Sequence, residues 1–343
     1  MNERCFDEIN FGILQEFLEQ EDVTDVACKN GNEIWITSNC KGHFKSNLLI
    51  QEGEVERIAN QIANKMQKEF NPSNPSLEGD IQKDQEDYRV GCVHSYLSNE
   101  GTTLVIRKVR KKPFLSYEKL IEDEVISKKG LDLLILAVKG KANILVIGET
   151  GSGKTEILKF LIPYIPKNEV IVTIEDSMEF NVKNIAPELS CTAFRIRQNF
   201  SYSNIIAMTL RLNVQRILLQ EARGEEVKDL IDAISTGHCV MTTMHAKSAE
   251  NVPSRIRQMI RNDNETYDSL KKRVYSLFDL VVHMEKIETK EGIKRKVNCI
   301  HEFCYDAMSD TCSLIEVYNN RKMKQMLSNQ LTKQIMKCLE EQK

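Results

Sequence analysis

Hydrophobic and polar residues alternate along "VTDVACKNGNEIWIT" (23–37), and the alternation breaks at Asn30-Gly31, a dipeptide that favours a two-residue hairpin turn. The spacing of Val55, Ile58, Ala59, Ile62, Ala63 and Met66 puts six apolar side chains on one face of a helix. "NPSNPSLEG" (71–79) should end that helix, because two prolines and a glycine resist its continuation. "YRVGCVHSYL" and "TTLVIRKV" then read as a strand pair joined through Gly101. These elements predict an α+β domain over residues 1–110.

Pro113 and its polar neighbours mark a seam, read as a linker over 111–125. Beyond it the pattern changes. "LDLLILAV" (131–138) is helical, "ANILVIG" (142–148) is a strand apolar on both faces, and "EVIVTIED" (169–176) is a second such strand one helix later. "RILLQEA" (216–222), a helix with Val227, Leu230, Ile231 and Ile234 on its core face, and "CVMTTM" (239–244) continue the series. Helices alternating with uninterrupted apolar strands predict a largely parallel sheet covered on both sides. This second domain runs over 126–343 and ends in a helical extension, where Met323, Met326, Leu327, Leu331 and Ile335 share one face expected to pack on their own domain, with docking to a partner as the alternative.

Composition narrows the class. At 343 residues the chain can hold two cores, and 41% hydrophobic with 28% charged residues is ordinary for a globular protein. A net charge of −3 supplies no general attraction for nucleic acid, so no stable nucleic-acid binding is expected. The apolar runs fall short of the ~20 residues of a membrane span, and the N-terminus does not resemble a signal peptide. The expectation is a cytoplasmic protein that reaches a membrane through partners. The 10 cysteines include no Cys-x-x-Cys pair and suit buried thiols in a reducing compartment. Cys299, His301, Cys304 and Cys312 leave a zinc site as an alternative, although their spacing matches no common pattern and residues 299–305 alternate like a strand.

"GETGSGKT" (148–155) follows an apolar strand and precedes a helix, and it meets every fixed position of the P-loop pattern G-x-x-x-x-G-K-[ST]. Gly148, Gly151 and Gly153, with Thr150 and Ser152 between them, let backbone N–H groups wrap phosphates. Lys154 should reach the β- and γ-phosphates of ATP, Thr155 should hold Mg²⁺, and the helix start adds its positive dipole end. Hydrolysis also needs carboxylates. Glu175, Asp176 and Glu179 lie just past one buried strand, and Glu221 ends another, the place of a Walker B acid. Glu175 and Glu221 are the candidate acids for the magnesium shell beside Thr155. His238 and His245 bracket "CVMTTM"; a strand of that length spans roughly 20 Å, so they cannot share one metal. His238 is read as structural or as an interface residue, and His245 lies at the ligand edge, near the γ-phosphate.

The ordered series "GETGSGKT", "TIEDSMEF", an arginine-rich segment, "RILLQEARGEE" and "TGHCVMTTMHAKSA" resembles the secretion-traffic ATPases of type II and type IV secretion, conjugation and pilus machines. The likeness is strongest to the conjugation, type IV secretion and tight-adherence pilus branch, because the four-cysteine zinc motif usual in the type II branch is missing. The resemblance implies a RecA-like ATPase domain behind the N-terminal domain. It implies Glu179 as the general base that aligns water, Glu221 as the Walker B acid near magnesium, and His245 as the sensor of the γ-phosphate. Arg107 would close over the nucleotide, while Arg195, Arg197 and Arg211 correspond to an arginine segment that partly reaches across subunits. A homohexameric ring working with inner-membrane components of its machine is implied as well. The chain departs from the family at Gln220, where glycine is usual, so a side chain there is expected to crowd magnesium or water. "LNVQR" (212–216) likewise replaces the usual "RPDR".

Two rival readings accompany this one: a nucleic-acid motor, and a non-catalytic, nucleotide-regulated scaffold suggested by Gln220. "RKVRKK" (107–112) is read as a solvated linker, with contact to a membrane or nucleic acid as the alternative.

Overall fold

The computed structural model describes residues 9–84, 86–109, 115–197, 200–260, 264–289 and 292–342. The chain forms two compact units, Met1–Lys111 with Glu288–Lys294, and Lys112–Ile287 with Arg295–Lys343.

The first unit contains α1 (Leu14–Leu18), β1 (Val23–Lys29), β2 (Glu33–Ser38), β3 (Gly42–Leu49), α2 (Glu54–Lys65), β4 (Ser76–Lys83), β5 (Glu86–Val93) and β6 (Thr103–Val109). Among the described residues these strands make one six-stranded antiparallel sheet in the order β3-β2-β1-β6-β5-β4. The β1–β2 hairpin turns at Asn30 and Gly31, both with positive φ. The apolar face of α2 buries Val55, Ile58, Ala59, Ile62 and Ala63 in a core shared with Leu14, Leu104 and Ile106. The helix stops earlier than its prolines suggest: it ends at Lys65, Gln67 takes a positive φ, and Ser76 onward is already strand. Strands β3 and β4 carry little apolar alternation because they are the sheet's edges and bury few side chains. Arg107 and Lys108 belong to β6; residues 110–112 of the basic stretch and Pro113 lie outside the described residues. The segment 288–294 joins this unit rather than the second, and the Ile293 N–H donates to the Cys40 carbonyl at 3.0 Å.

The second unit begins with α3 (Tyr117–Glu122) and α4 (Lys128–Lys139). Where a linker was expected, Ser116 caps α3 by accepting the Lys119 N–H, and Leu120 is buried in the second unit's core. There follow β7 (Ile144–Gly148), α5 (Lys154–Leu161), β8 (Val170–Glu175), α6 (Val182–Ile185), β9 (Ser190–Arg195), α7 (Tyr202–Thr209), β10 (Arg216–Ala222), α8 (Glu226–Ser235) and β11 (Cys239–Met244). The chain closes with α9 (Val252–Met259), α10 (Tyr267–Leu277), β12 (Leu280–Thr289), β13 (Gly292–Asp306), β14 (Thr311–Asn319), β15 (Lys322–Met323) and α11 (Asn329–Glu340).

Its nine-stranded sheet, counted among the described residues, has the order β15-β14-β13-β12-β7-β11-β10-β8-β9. From β12 to β9 the strands run parallel, and β13–β15 add an antiparallel edge. The central strands carry mostly apolar residues because both faces are covered. Ile144, Val146, Leu218 and Met241 face one core, and Leu145, Ile147, Leu219 and Val240 face the other. This is the RecA-like α/β arrangement that the resemblance implied, with the P-loop strand β7 between two parallel neighbours. The C-terminal face differs from expectation: Met323 is in β15 and Met326 is exposed, whereas Leu331 and Ile335 of α11 are buried in the unit's core. Among the described residues, no helix is long and apolar enough to cross a membrane.

Candidate functional site

Strand β7 delivers the chain to the carboxyl edge of the sheet, and residues 149–153 turn it into α5. Gly148 has φ +148°, and a Cβ there would sit 2.3 Å from the Met284 carbonyl oxygen of β12, so only glycine fits between the two strands. Gly151 and Gly153 also have positive φ, the backbone conformation that turns successive N–H groups toward one point. Thr150 is exposed, Thr155 is half-buried in the first turn of α5, and the buried Ser152 hydroxyl donates to the Glu149 carbonyl at 2.9 Å. Arg295 of β13 donates to the Gly151 carbonyl at 2.7 Å.

Lys154 lies folded into this loop. Its Nζ donates to the carbonyls of Gly148 (3.0 Å) and Glu149 (2.9 Å) and stands 3.3 Å from His245 Nδ1. Burial holds its pKa below the usual lysine value, against the pull of Glu221 and Glu149. His245, just past β11, bridges two of the sequence-derived candidates. Its Nδ1 also lies 3.2 Å from the Gly148 carbonyl, and its Nε2 lies 3.1 Å from Glu221 Oε1. The other oxygen of Glu221 accepts from Arg223 Nη2 at 3.0 Å, and Arg223 Nη1 reaches Asp176 Oδ2 at 3.0 Å. His238, at the opposite end of β11, bonds locally to the Ala233 carbonyl and the Thr236 hydroxyl.

Asp176 begins the second part of the site, the turn after β8. Glu175 stands there fully buried, and its Oε2 accepts the backbone N–H groups of Glu179 (2.6 Å) and Phe180 (2.8 Å). Burial pushes its carboxyl up to about 7. Glu175, the expected magnesium ligand, shapes through these two bonds the turn that carries Glu179. Glu179 itself is half-buried, which raises its pKa, and its Oε1 lies 3.2 Å from the Ser177 hydroxyl. Gln220, expected to crowd magnesium or water, commits both ends of its amide to this turn. Its Oε1 accepts the N–H groups of Asp176 (3.1 Å) and Ser177 (3.4 Å), and its Nε2 donates to Ser177 Oγ at 3.3 Å.

The structure thus brings Lys154, His245, Glu221, Asp176 and Glu179 into one connected set, with Arg223, Ser177 and Gln220 as the links. Arg195, at the end of β9, donates to the Asp176 carbonyl at 3.3 Å and borders the set. Arg197 and Arg211 are exposed, and Arg107 is an exposed residue of β6 paired with Asp25 at 2.6 Å. Sequence reasoning missed Arg223 and Arg295. Arg223 stands in the quoted "ARGEE", where a cation two residues after an acid was the available signal; nothing in the sequence ties Arg295 to a loop 144 positions away.

Residues 14–343 match the family model described as "Type II/IV secretion system protein". An uncharacterised protein of Bacillus anthracis is 28% identical over 286 residues, which covers 82% of this chain and 63% of that protein. The type IV secretion system protein PtlH of Bordetella pertussis is 27% identical over 313 residues, which covers 83% of this chain and 91% of PtlH. Among solved structures, the ATPase DotB of Yersinia pseudotuberculosis shares the fold, with a TM-score of 0.65 and 19% identity over 84% of this chain and 77% of DotB. The P-loop on its parallel sheet and the match over nearly the whole length agree: the chain belongs to the type II/IV secretion system protein family, within the secretion ATPase superfamily.

Proposed function

We propose that this protein is an ATP-hydrolysing motor that works as a homohexamer and powers a type IV secretion, conjugation or pilus-type machine, docked through inner-membrane partners on the cytoplasmic face. The observation that carries the reading is the connected path from Lys154 through His245 and Glu221 to the Asp176–Glu179 turn. That path links the loop that would hold the phosphates to a half-buried carboxylate with a raised pKa. Such a group suits a general base better than an ordinary solvated glutamate does.

The donor chemistry fits Mg²⁺. Thr155 and Glu221 offer hard oxygen atoms, and Mg²⁺ characteristically takes one or two protein oxygens together with phosphate oxygens. When bound, the ion would neutralise charge on the β- and γ-phosphates. Lys154 would exchange its two loop carbonyls for phosphate oxygens, and His245 would follow Lys154 and Glu221 as they rearrange. Glu179 would take the proton of the water that attacks the γ-phosphorus as ADP leaves. Arg107, Arg195, Arg197 and Arg211 are the proposed cations for the remaining phosphate charge, some of them supplied by a neighbouring subunit. The match to PtlH supports the secretion context.

The test is steady-state ATP hydrolysis of wild type and Glu179→Gln across protein concentrations, with mass measured in the same samples. The expected result is turnover that rises with the hexamer and falls about 100-fold or more in the mutant. Rings that bind ATP but turn over no faster than Glu179→Gln would overturn the motor reading in favour of a nucleotide-gated scaffold.

A further inference from the structure

We infer that Gln220 is a positioning residue for the proposed base, acting on the Glu179 carboxylate in part through the Ser177 hydroxyl. The inference rests on Glu179 being the base and adds how its carboxylate is held. Gln220 is only 4% exposed, and burying an amide is unfavourable unless its hydrogen bonds are made. All of its bonds go to one short turn. The Oε1 atom takes the N–H groups of Asp176 and Ser177, and Nε2 donates to Ser177 Oγ.

The direction of the last bond matters. Ser177 Oγ has one proton and two neighbours able to accept it, Glu179 Oε1 at 3.2 Å and Asp176 Oδ1 at 3.3 Å. With Gln220 occupying a lone pair of that oxygen, the proton is directed toward the neighbouring carboxylates. Of the two, Glu179 Oε1 is the nearer, and Asp176 is held by Arg223 through Oδ2. Glu175 clamps the same turn from below by accepting the Glu179 N–H. The backbone and the side chain of Glu179 are therefore held by two different residues, Glu175 and Gln220. The end of β10 consequently serves both acids of the site: Glu221 directly, and Glu179 through its neighbour Gln220. A residue present only to fill volume would not need an amide here.

The experiment compares full-length wild type, Gln220→Met, Ser177→Ala, Glu179→Gln and the Gln220→Met/Glu179→Gln double variant. Each is assayed for kcat and KM with Mg-ATP, and for thermal unfolding. Gln220→Met keeps the side-chain volume and removes the amide's hydrogen bonds to the turn. The expected result is a kcat lowered about 10- to 100-fold with KM changed less than about twofold, since a displaced base loses rate without loosening the phosphate loop. In the Glu179→Gln background the same substitution should leave the residual rate unchanged, because there is no longer a base to place.

A loss of equal factor in both backgrounds, or one carried mainly by KM, would show that Gln220 merely holds the fold and would overturn the inference. So would unchanged kcat in Gln220→Met. If Gln220→Met does not fold, Ser177→Ala, which removes one oxygen, must show the same kcat-specific loss or the inference fails. The outcome for Glu179→Gln stands apart: wild-type turnover in that variant refutes the base itself, whereas its collapse beside a fully active Gln220→Met refutes only the positioning.

Discussion

Arg216 opens β10 as a completely buried guanidinium, and its partner Glu169 is 1% exposed. The pair is bidentate, with Nε to Oε2 at 2.7 Å and Nη2 to Oε1 at 3.2 Å. Nη2 also donates to the Val138 carbonyl at 2.9 Å, and Nη1 points at the Met241 sulfur. This arginine closes "LNVQR" (212–216) and ties β10, the approach to β8 and the end of α4 together. Replacing Arg216 with Met would leave the Glu169 carboxylate buried without its cation and the Val138 carbonyl without a donor. Removing one member of a buried pair costs about 3–5 kcal/mol, because the uncompensated charge remains. The double variant Arg216→Met/Glu169→Leu removes both charges and should recover to within about 1–2 kcal/mol of wild type.

Urea unfolding followed by far-UV circular dichroism reads this change. The protein's only tryptophan, Trp35, lies in β2 of the first unit, so its fluorescence reports the other unit and serves as an internal control. At a urea slope of about 2–3 kcal/mol/M, the single variant should lower the dichroism midpoint by about 1–2 M. A shift smaller than about 0.3 M, or a double variant as unstable as Arg216→Met, would refute the reasoning.

Two further outcomes follow from the site. Glu175 titrates at about 7 in the folded protein against an ordinary 4.5, so its contribution to stability is fully present below 4.5 and is lost as the pH rises through 7. That difference is worth about 3 kcal/mol at most, and Glu175→Gln, which can still accept the two N–H groups, should flatten stability between pH 4.5 and 7; an unchanged slope in chemical denaturation would assign the effect elsewhere. Lys154→Ala should abolish nucleotide binding measured by calorimetry while leaving the unfolding midpoint of the nucleotide-free protein within about 0.5 M urea. Its ammonium, held below its usual pKa by burial, stabilises the empty loop weakly compared with bound phosphate.

The sequence by itself determined the elements whose physics is local or strictly periodic. The phosphate loop is contiguous because successive N–H groups of one backbone must converge, so "GETGSGKT" carries its own meaning. Strands β7, β8, β10 and β11 were legible because a strand covered on both faces carries a near-continuous apolar run. The β1–β2 turn was legible because Asn-Gly suits its positive φ values. The edge strands β3 and β4 escaped the same reading, since an edge buries too little to impose a pattern. Helix α3 escaped it too, because six residues with one fully buried leucine make no period.

At the site, position along a strand was legible and side-chain direction was not. Glu175, Glu179, Gln220, Glu221 and His245 all stand at or just past strand ends, where the sequence places ligands. Only the packed structure decided that Glu175 turns inward to hold a backbone, that His245 spans from lysine to glutamate, and that Gln220 braces a turn. The physical reason is that a polar group at a strand end is stable wherever it finds partners, and those partners come from segments distant in the chain that share no local pattern with it.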